Sequence, residues 1–383
     1  MHEAQFVFPN DAHPPWSIMI VLYPYITGLV AGAFVVSALY HVFHREVLKP
    51  VARLALVTSL CFCAFATVPL LLHLHHPERC LNVVVTPSFT SAIAGFGFIY
   101  STYMLILVVE VWLVLRPDII ERANSTTGWW RALYRLLALG VTEPSEHAYA
   151  VDKKLVNMLS VAGIPVACVL HGYVGFLFGA VKANPWWSTS LMPIIFLCSA
   201  IVSGIAGLIV LYQFICWRKG EPADKDCVAA LAQYLWLFLV LAVTLEGLEV
   251  LQMCYEGEGE WHRIKTLITD HLAVSYGIIQ VLIGSLVPLV LLLIAFTRPG
   301  KLTNFVALFA SVLVLIQVLA MRWNVVVGGQ MFSKSFRGFV EYHVEIFGRE
   351  GLLAGGVVLI APLVTLWIVG QLLPVWQTPK SCA

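Results

Sequence analysis

The sequence has few of the features that mark a soluble protein or a metalloprotein. Only 12% of its 383 residues are charged, about half of the roughly 25% found in soluble domains. The nine cysteines form no CxxC pair, so an iron–sulfur cluster or a structural zinc ion has no evident ligand set. The formal net charge of +1 gives no indication of nucleic-acid binding. Residues 1–15 lack a basic n-region, so no cleaved signal peptide is predicted.

Apolar residues, by contrast, are abundant. They make up 60% of the chain, and the mean hydropathy is +0.85. A helix needs about 20 apolar residues to cross a bilayer, and only helices or closed barrels satisfy their backbone groups in lipid. The apolar runs do not alternate with polar residues, which argues against a barrel. We therefore expect an all-α polytopic membrane protein with about nine transmembrane helices and no separate soluble domain. The predicted spans are 16–43, 51–74, 89–115, 155–181, 191–217, 228–254, 272–296, 302–321 and 352–373.

The distribution of lysine and arginine predicts the orientation. Cytoplasmic loops are enriched in both residues. With the N-terminus outside and nine spans, 15 of the 23 basic residues fall in cytoplasmic segments and 8 in outer ones. The prediction is a periplasmic N-terminus and a cytoplasmic C-terminus, in the inner (cytoplasmic) membrane of the cell.

Two loops are predicted to be longer than turns within a single domain, 1–383. The cytoplasmic loop 116–154 contains Arg131 and Arg135 beside apolar residues, a pattern that favours an interfacial amphipathic helix, with a tenth span as the alternative. The outer loop 322–351 is polar and glycine-rich, which makes it the best candidate for docking a partner. The docking residues predicted there are Arg322, Asn324, Gln330 and Lys334.

Ionisable groups inside a bilayer are costly and are therefore functional candidates. With the predicted topology, several of them converge on the outer half of the membrane. Those assigned to this half are Tyr23, His73, His171, Tyr173, Glu246, Glu249, Asp270 and His271. A second set lies in the inner half and includes His41 and Glu110, which are candidates for a proton route from the cytoplasmic side. The alternative for each residue is an interhelical hydrogen bond or a position at a helix end.

Two other function classes share features with this sequence. A b-type cytochrome needs two facing axial histidines, and His73 with His171 is the only sensible pair. The repeated pairs of a di-haem protein are missing, so no haem is expected. A secondary transporter fits intramembrane carboxyls and proline-broken helices such as those at Pro165 and Pro193. Matching breaks in two half-sequences are not visible, which weakens that alternative.

Several motifs, taken in order and spacing, resemble the NrfD/PsrC family of membrane subunits from polysulfide-reductase-like complexes. The first span has a tyrosine- and glycine-rich start, and a tyrosine-bearing fourth span is followed by tryptophan and proline landmarks. The resemblance covers most of the chain. Its motifs are Tyr23-Pro-Tyr-Ile-Thr-Gly28, Thr86-Pro87-Ser88, His171-Gly-Tyr173, Asn184-Pro-Trp186-Trp187, Met192-Pro193 and Arg322-Trp323-Asn324 through Gln330.

The resemblance implies two helix bundles without haem and a quinone site near the outer face, for menaquinone or ubiquinone. It also implies a periplasmic, ferredoxin-like subunit with four iron–sulfur clusters as the electron partner, and a further catalytic or multihaem subunit beyond it. Some members are thought to couple this reaction to proton movement. The ninth span places the chain in a longer branch of the family.

Site residues carry over from the family only in part. The quinone-site tyrosine corresponds to Tyr173, with His171 as the alternative, and the Thr86 loop matches the family's position before the third span. A first-helix histidine of one branch is replaced here by Tyr23, although a phenol still donates to a quinone carbonyl. Three residues are alternatives for the missing proton-transfer group, namely His13, His73 and Glu249.

Overall fold

The computed structural model describes residues 14–88, 90–256, 259–298, 300, 302–333 and 338–376. These residues form helices and loops, with one isolated β-bridge between Phe332 and Phe339. Within the described ranges, nine helices are long and apolar enough to cross a membrane, so the predicted all-α polytopic fold is confirmed. They are α1 Ile18–His41, α2 Glu46–His73, α3 Ala92–Ser125, α4 Glu146–Gly179, α5 Met192–Lys219, α6 Lys225–Glu256, α7 Ala273–Thr297, α8 Thr303–Gly328 and α9 Leu352–Leu372.

Short helices occupy several of the connections and helix ends. Val68–His73 is the last part of α2, and a π-helix, Leu267–His271, precedes α7. Glu46–Leu48 is the first part of α2, and the connections contain Pro77–Arg79, Asn82–Val85, Gly128–Leu137 and Gly259–Thr266.

The helix ends meet at two faces, here called the first face, where α1 begins, and the second face, where it ends. At the first face, the Trp16 backbone N–H donates to Gln330 Oε1 beyond α8. The Trp187 indole donates to Val325 O at 2.6 Å and stacks on Trp16 with ring centroids 5.2 Å apart. At the second face, Arg53 donates to Pro374 O beyond α9. These contacts join chain segments that are more than a hundred residues apart.

Helices α1 and α5 form the centre of the molecule. Helix α1 packs on α2, α4 and α5, whereas α5 also contacts α6 and α8. The contacts therefore form two groups, α1–α4 and α5–α8, with α9 lying against α2. The crossing of α1 and α5 requires glycine, because a Cβ on Gly32 would lie 2.6 Å from the Gly204 Cα. Small residues permit this close backbone approach between membrane helices.

At the second face, α3 and α4 extend beyond their predicted ends, which corrects the boundaries of the 116–154 loop. Helix α3 continues to Ser125 and α4 begins at Glu146. Arg116 donates to both oxygens of Asp152 at 2.7 and 2.9 Å, and Arg53 pairs with Asp118. These ion pairs stabilise charged helical turns that lie beyond the apolar run, where hydropathy alone predicts that the helix ends.

The amphipathic segment between α3 and α4 does form a helix, Gly128–Leu137. Its 10 residues correspond to about 15 Å, too short to cross a bilayer. Tyr134 is buried, and its hydroxyl donates to Leu372 O at the end of α9. The segment is therefore a short helix packed on the bundle, and the alternative of a tenth span at this position is wrong.

Helices α7 and α8 both contain π-helical stretches. These are Ala273–Leu286 and Asn324–Gly328. The second stretch lengthens α8 beyond its predicted end at residue 321, so the following loop starts later than predicted. A π-helical turn shifts the direction of every later side chain and is frequent at functional sites. The first stretch begins α7 and the second ends α8, so both adjoin the first face.

Candidate functional site

A chain of hydrogen-bonded polar side chains crosses from α6 to α7 and α8. Ser275 donates to Asn324 Oδ1 at 2.7 Å, and Asn324 Nδ2 donates to Gln280 Oε1 at 2.7 Å. Gln280 Nε2 in turn donates to Glu246 Oε2 at 2.9 Å. Every donation runs in the same direction, so the chain ends on a carboxyl group that accepts. Three of its four members come from the two π-helical stretches.

A second carboxyl group lies one helical turn from the first. Glu246 and Glu249 are three residues apart on α6, so both face the same side of the helix. They line a cavity of about 20 Å³ together with Trp186, Tyr276 and residues of α5 and α8. Within the described ranges, one buried oxygen of each carboxyl, Oε1, has no hydrogen-bond partner. A polar cavity of this size holds about one water molecule, which could bridge the two groups.

Arg322 lies close to this cluster rather than on a loop, which corrects the prediction that it docks a partner. Its side chain is 0% exposed and donates to Ser199 Oγ at 2.6 Å and to Phe196 O at 3.3 Å. The guanidinium carbon also lies 3.8 Å from the centre of the Phe196 ring. Asn324 is likewise buried, at 1% exposed. Neither side chain can meet a partner at the surface, because α8 extends past both.

A second group of polar atoms surrounds His171 where α1, α4 and α5 meet. His171 is fully buried, and neither ring nitrogen has a hydrogen-bond partner among the described residues. Gly28 packs close to this group, since a Cβ there would lie 3.6 Å from His171 Nε2 and 3.0 Å from Ser203 Oγ. Ser199 and Ser203 are one turn apart on one face of α5, so Arg322, which bonds to Ser199, and the His171 group lie at neighbouring positions along this helix.

Tyr23 contributes a further buried donor from α1. It is 4% exposed, and its hydroxyl has no partner within the described ranges. The ring packs edge-on against Phe96 of α3, with centroids 5.4 Å apart. Such unpaired buried donors are costly and mark positions where a polar ligand atom would be stabilised.

The other predicted quinone ligands are engaged elsewhere or exposed. The Tyr173 hydroxyl donates to Ala92 O at 2.9 Å and lies against Gly95. His73 Nδ1 lies 2.8 Å from Glu350 Oε2, and Thr86 is exposed with its hydroxyl bonded to Asn82 O. The structure therefore does not bring Tyr173, His73 and Thr86 together with His171 into one cluster.

Glu350 lies outside the membrane-spanning helices. Burial by itself raises the pKa of Glu350, but hydrogen bonds from Ser17 and His73 and the charges of His73 and Arg349 outweigh it. The pKa of Glu350 is consequently lowered from its ordinary value. The pair with His73 therefore fastens the segment before α9 to the end of α2.

The remaining predicted residues of the first face lie at its surface. Asp270 and His271 are exposed. Asp270 accepts from the Thr269 hydroxyl, and the His271 ring lies 4.4 Å from that of Phe339. Gln330 is half-buried and bonds to Trp16 and Val326. The predicted docking residue Lys334, like His13, lies outside the described residues.

His41 and Glu110 lie toward the second face, away from the other carboxyls. Glu110 is fully buried and accepts a hydrogen bond from Ser160 at 2.5 Å. His41 packs against Tyr40 and lines a larger cavity of about 650 Å³. The predicted proton-transfer residues therefore divide into two groups, one in each half of the membrane.

Four residues joined the first-face cluster without being predicted as site residues. Gln280 was recognisable as a polar side chain within a span, but its partners were not. Ser275, Tyr276 and Trp186 carry no signal in hydropathy, because serine and aromatic residues are common in membrane helices. Within the described ranges, no three His, Cys, Asp or Glu side chains come together as metal ligands.

Comparison with known proteins adds a family assignment. The family model described as "Polysulphide reductase, NrfD" matches residues 8–334. The chain is 34% identical over 239 residues to a selenate reductase subunit of Mesobacillus selenatarsenatis, and the match covers 61% of this chain and 56% of that protein. It is 26% identical over 229 residues to a putative dimethyl sulfoxide reductase membrane subunit of Halobacterium salinarum, with 60% of this chain and 50% of that one covered.

A longer match is to the Hdr-like menaquinol oxidoreductase integral membrane subunit of Archaeoglobus fulgidus. It is 24% identical over 359 residues, with 92% of this chain and 79% of that protein covered. The matches to the selenate reductase and dimethyl sulfoxide reductase proteins, by contrast, span only about half the length of each.

Proposed function

The chain belongs to the polysulphide reductase NrfD family, and from that membership we propose that it is the quinone-reactive membrane subunit of a respiratory oxidoreductase. Bound menaquinone or ubiquinone would supply two-electron, two-proton chemistry near the first face. The observation that carries the proposal is the concentration of buried polar groups in that half of the membrane. In the orientation predicted by lysine and arginine, this is the periplasmic half.

His171 and Tyr23 fit the two carbonyl oxygens of a quinone. Both are buried donors without a hydrogen-bond partner among the described residues, and each quinone carbonyl accepts a hydrogen bond. Gly28 of α1 packs against Ser203 and His171, so a side chain at this position would crowd both groups. His171 and Tyr23 therefore serve to bind and orient the ring, while the apolar walls exclude water.

Glu246 and Glu249 fit the proton-transfer role. A proton acceptor in a redox site needs a group that titrates and a connection to water. Both carboxyl side chains line one water-sized cavity, and one oxygen of each has no hydrogen-bond partner within the described ranges. The amide chain through Gln280 orients Glu246. Arg322 of α8 adds a buried guanidinium group beside this cluster.

The electron partner is proposed to be a periplasmic four-cluster iron–sulfur subunit, with a catalytic or multihaem subunit beyond it. The segment between α8 and α9 offers it a docking surface at the first face. Arg349 donates to the carbonyls of Leu71, Leu72 and Leu74 and holds this segment on α2. Ile346 and Phe347 are 54% and 77% exposed there, and an exposed apolar patch marks an interaction site.

Binding of a short-tailed naphthoquinone to the purified chain in nanodiscs tests the proposal. Quenching of tryptophan fluorescence reports binding, because Trp186 and Trp187 lie at this face. We expect His171→Gln and Tyr23→Phe each to weaken binding at least tenfold. The matched controls are His147→Gln and Tyr255→Phe, which alter exposed residues and should bind like the native chain. Absence of saturable binding, or equal binding by all variants, would contradict the proposal.

A further inference from the structure

A large cavity opens at the second face, opposite to the proposed quinone site. It has a volume of about 650 Å³, well within the range of roughly 300–1,000 Å³ for small-molecule sites. The end of α1, the start of α2, the late part of α3 and the start of α4 form its walls. The extension of α3 and α4 beyond their predicted ends creates its depth, because these added turns carry much of the lining.

The rim of this cavity carries unbalanced positive charge. Lys49, Lys153 and Lys154 line it, and none forms an ion pair within the described ranges. Asp152 also lines the cavity, but Arg116 already neutralises it through both carboxylate oxygens. Glu46 is the one remaining carboxyl among the lining residues of the described ranges. The rim therefore has a surplus of lysine ammonium groups that are free to bind an anion.

The floor of the cavity is apolar. The three lysines are exposed, whereas five apolar lining residues are buried or half-buried and form the floor, namely Ala52, Leu113, Val114, Pro117 and Val156. A site for a small free anion needs no such floor, since a phosphate ion gains nothing from contact with aliphatic carbon. A floor of this kind beneath a cationic rim instead suits an amphiphile whose head is anionic and whose body is hydrocarbon.

The surroundings place the mouth of the cavity at the membrane–water interface. Tyr40 and Tyr149 line it, and tyrosine is enriched at the level of the lipid headgroups. Phe43 and Leu155, which are 60% and 40% exposed, lie beside it in sequence and offer apolar surface to lipid. Basic pockets between membrane helices are suited to the headgroups of anionic phospholipids.

We propose that this cavity, lined by Lys49, Lys153 and Lys154 above an apolar floor, binds the headgroup of an anionic phospholipid. The lysines contact the phosphodiester, and the floor accommodates the glycerol and the first part of the acyl chains. The bound lipid would join the charged ends of α1, α2, α3 and α4. This site is separate from the quinone chemistry at the first face and does not depend on it.

Native mass spectrometry of the full chain, released from detergent with defined lipids added, tests the proposal. The lipids are phosphatidylglycerol and phosphatidylcholine, titrated separately. We expect saturable binding of phosphatidylglycerol that exceeds binding of phosphatidylcholine. In the triple variant Lys49→Gln, Lys153→Gln and Lys154→Gln, this affinity should fall on the order of 100-fold, since each basic residue contributes to attraction of an anionic headgroup.

A matched triple variant controls for the loss of charge. Lys182→Gln, Lys225→Gln and Lys265→Gln remove three exposed lysines away from the cavity, and the affinity for phosphatidylglycerol should stay within twofold of the native value. Equal loss in both triple variants would overturn the proposal, because it would show that only net charge matters. Equal binding of the two lipids by the native chain would overturn it as well.

Two further arms separate a lipid from a free anion and from misfolding. Inorganic phosphate at high concentration should not displace the lipid, and displacement would assign the site to a free anion instead. Ala52→Leu narrows the floor and leaves every lysine in place, so it should weaken lipid binding at least fivefold. Full lipid binding by this variant, with an unchanged helical circular dichroism spectrum, would contradict the role of the apolar floor.

Discussion

The two halves of the membrane region hold buried carboxyl groups in different settings. Glu246, in the first-face half, ends an amide chain from two other helices and adjoins Glu249 at a water-sized cavity. Glu110, in the second-face half, is fully buried and has a single hydroxyl partner, Ser160. Both are costly ionisable groups inside the membrane, so both are functional candidates for the same reason. The two settings differ in connection to other polar groups rather than in burial, and for that reason we expect proton transfer to depend on the first-face pair.

The strongest test of this comparison is removal of the paired carboxyls. We expect Glu246→Gln and Glu249→Gln each to lower quinol-linked electron transfer on the order of 100-fold, the lower end of the range for general acid–base catalysis. The assay is quinol oxidation by the assembled complex in liposomes. Glu256→Gln, an exposed acid on the same helix, is the control and should keep native turnover. Native turnover in both site variants would remove the pair from the mechanism.

The next test breaks the amide chain. Gln280→Met leaves Glu246 Oε2 and Asn324 Nδ2 without their partner, and an unsatisfied buried polar group costs about 1–3 kcal/mol. We expect a lower free energy of unfolding by about that amount, together with roughly tenfold slower turnover because Glu246 is no longer oriented. Thermal unfolding in detergent measures the first effect. Gln252→Met changes an exposed residue and should alter neither quantity; equal stability of the two variants would contradict the importance of the chain.

A smaller effect is expected from Glu110 in the other half. Glu110→Gln keeps the hydrogen bond with Ser160 possible and lies toward the second face, so turnover should fall by no more than about fivefold, well short of the loss for a direct proton-transfer group. The same liposome assay compares it with Glu249→Gln. If Glu110→Gln and Glu249→Gln lowered turnover equally, the two halves of the membrane region would not differ in their role in proton transfer. A proton route from the second face would then be favoured.

The smallest expected effect concerns the His73–Glu350 pair at the surface. The pKa of Glu350 is lowered in the folded protein, so its contribution to stability is present above the ordinary carboxyl pKa of 4.5 and is lost as the pH falls through the lower folded pKa. Because the pair is partly exposed, it contributes about 0–1 kcal/mol to the free energy of unfolding. Melting temperatures of the native chain and Glu350→Gln should converge as the pH is lowered below 4.5; a constant difference would contradict this.

Much of the fold could be predicted, because a helix that crosses a bilayer needs about 20 apolar residues and hydropathy identifies such runs. Nine apolar runs predicted nine membrane-spanning helices, and nine are present within the described ranges. The ends of α3, α4 and α8 could not be predicted in this way. Ion pairs such as Arg116–Asp152 stabilise polar helical turns beyond the apolar run, and these partners are 36 residues apart in the chain.

The candidate site was predictable in part. An acidic residue in an apolar run stands out, so Glu246 and Glu249 were recognised. Gln280, Ser275 and Asn324 were not recognised as their partners, since the π-helical stretches of α7 and α8 change the register that ordinary helical spacing predicts. The same change buried Asn324, which was expected on a loop.

The sequence by itself determined that this chain crosses a membrane about nine times and where its costly polar groups lie along each span. A bilayer imposes that information locally, since each span must satisfy its own backbone and hide its own charges. Tertiary structure alone decided which polar groups meet. Contacts between side chains from α6, α7 and α8 depend on helix packing and register, and these are properties of several segments together.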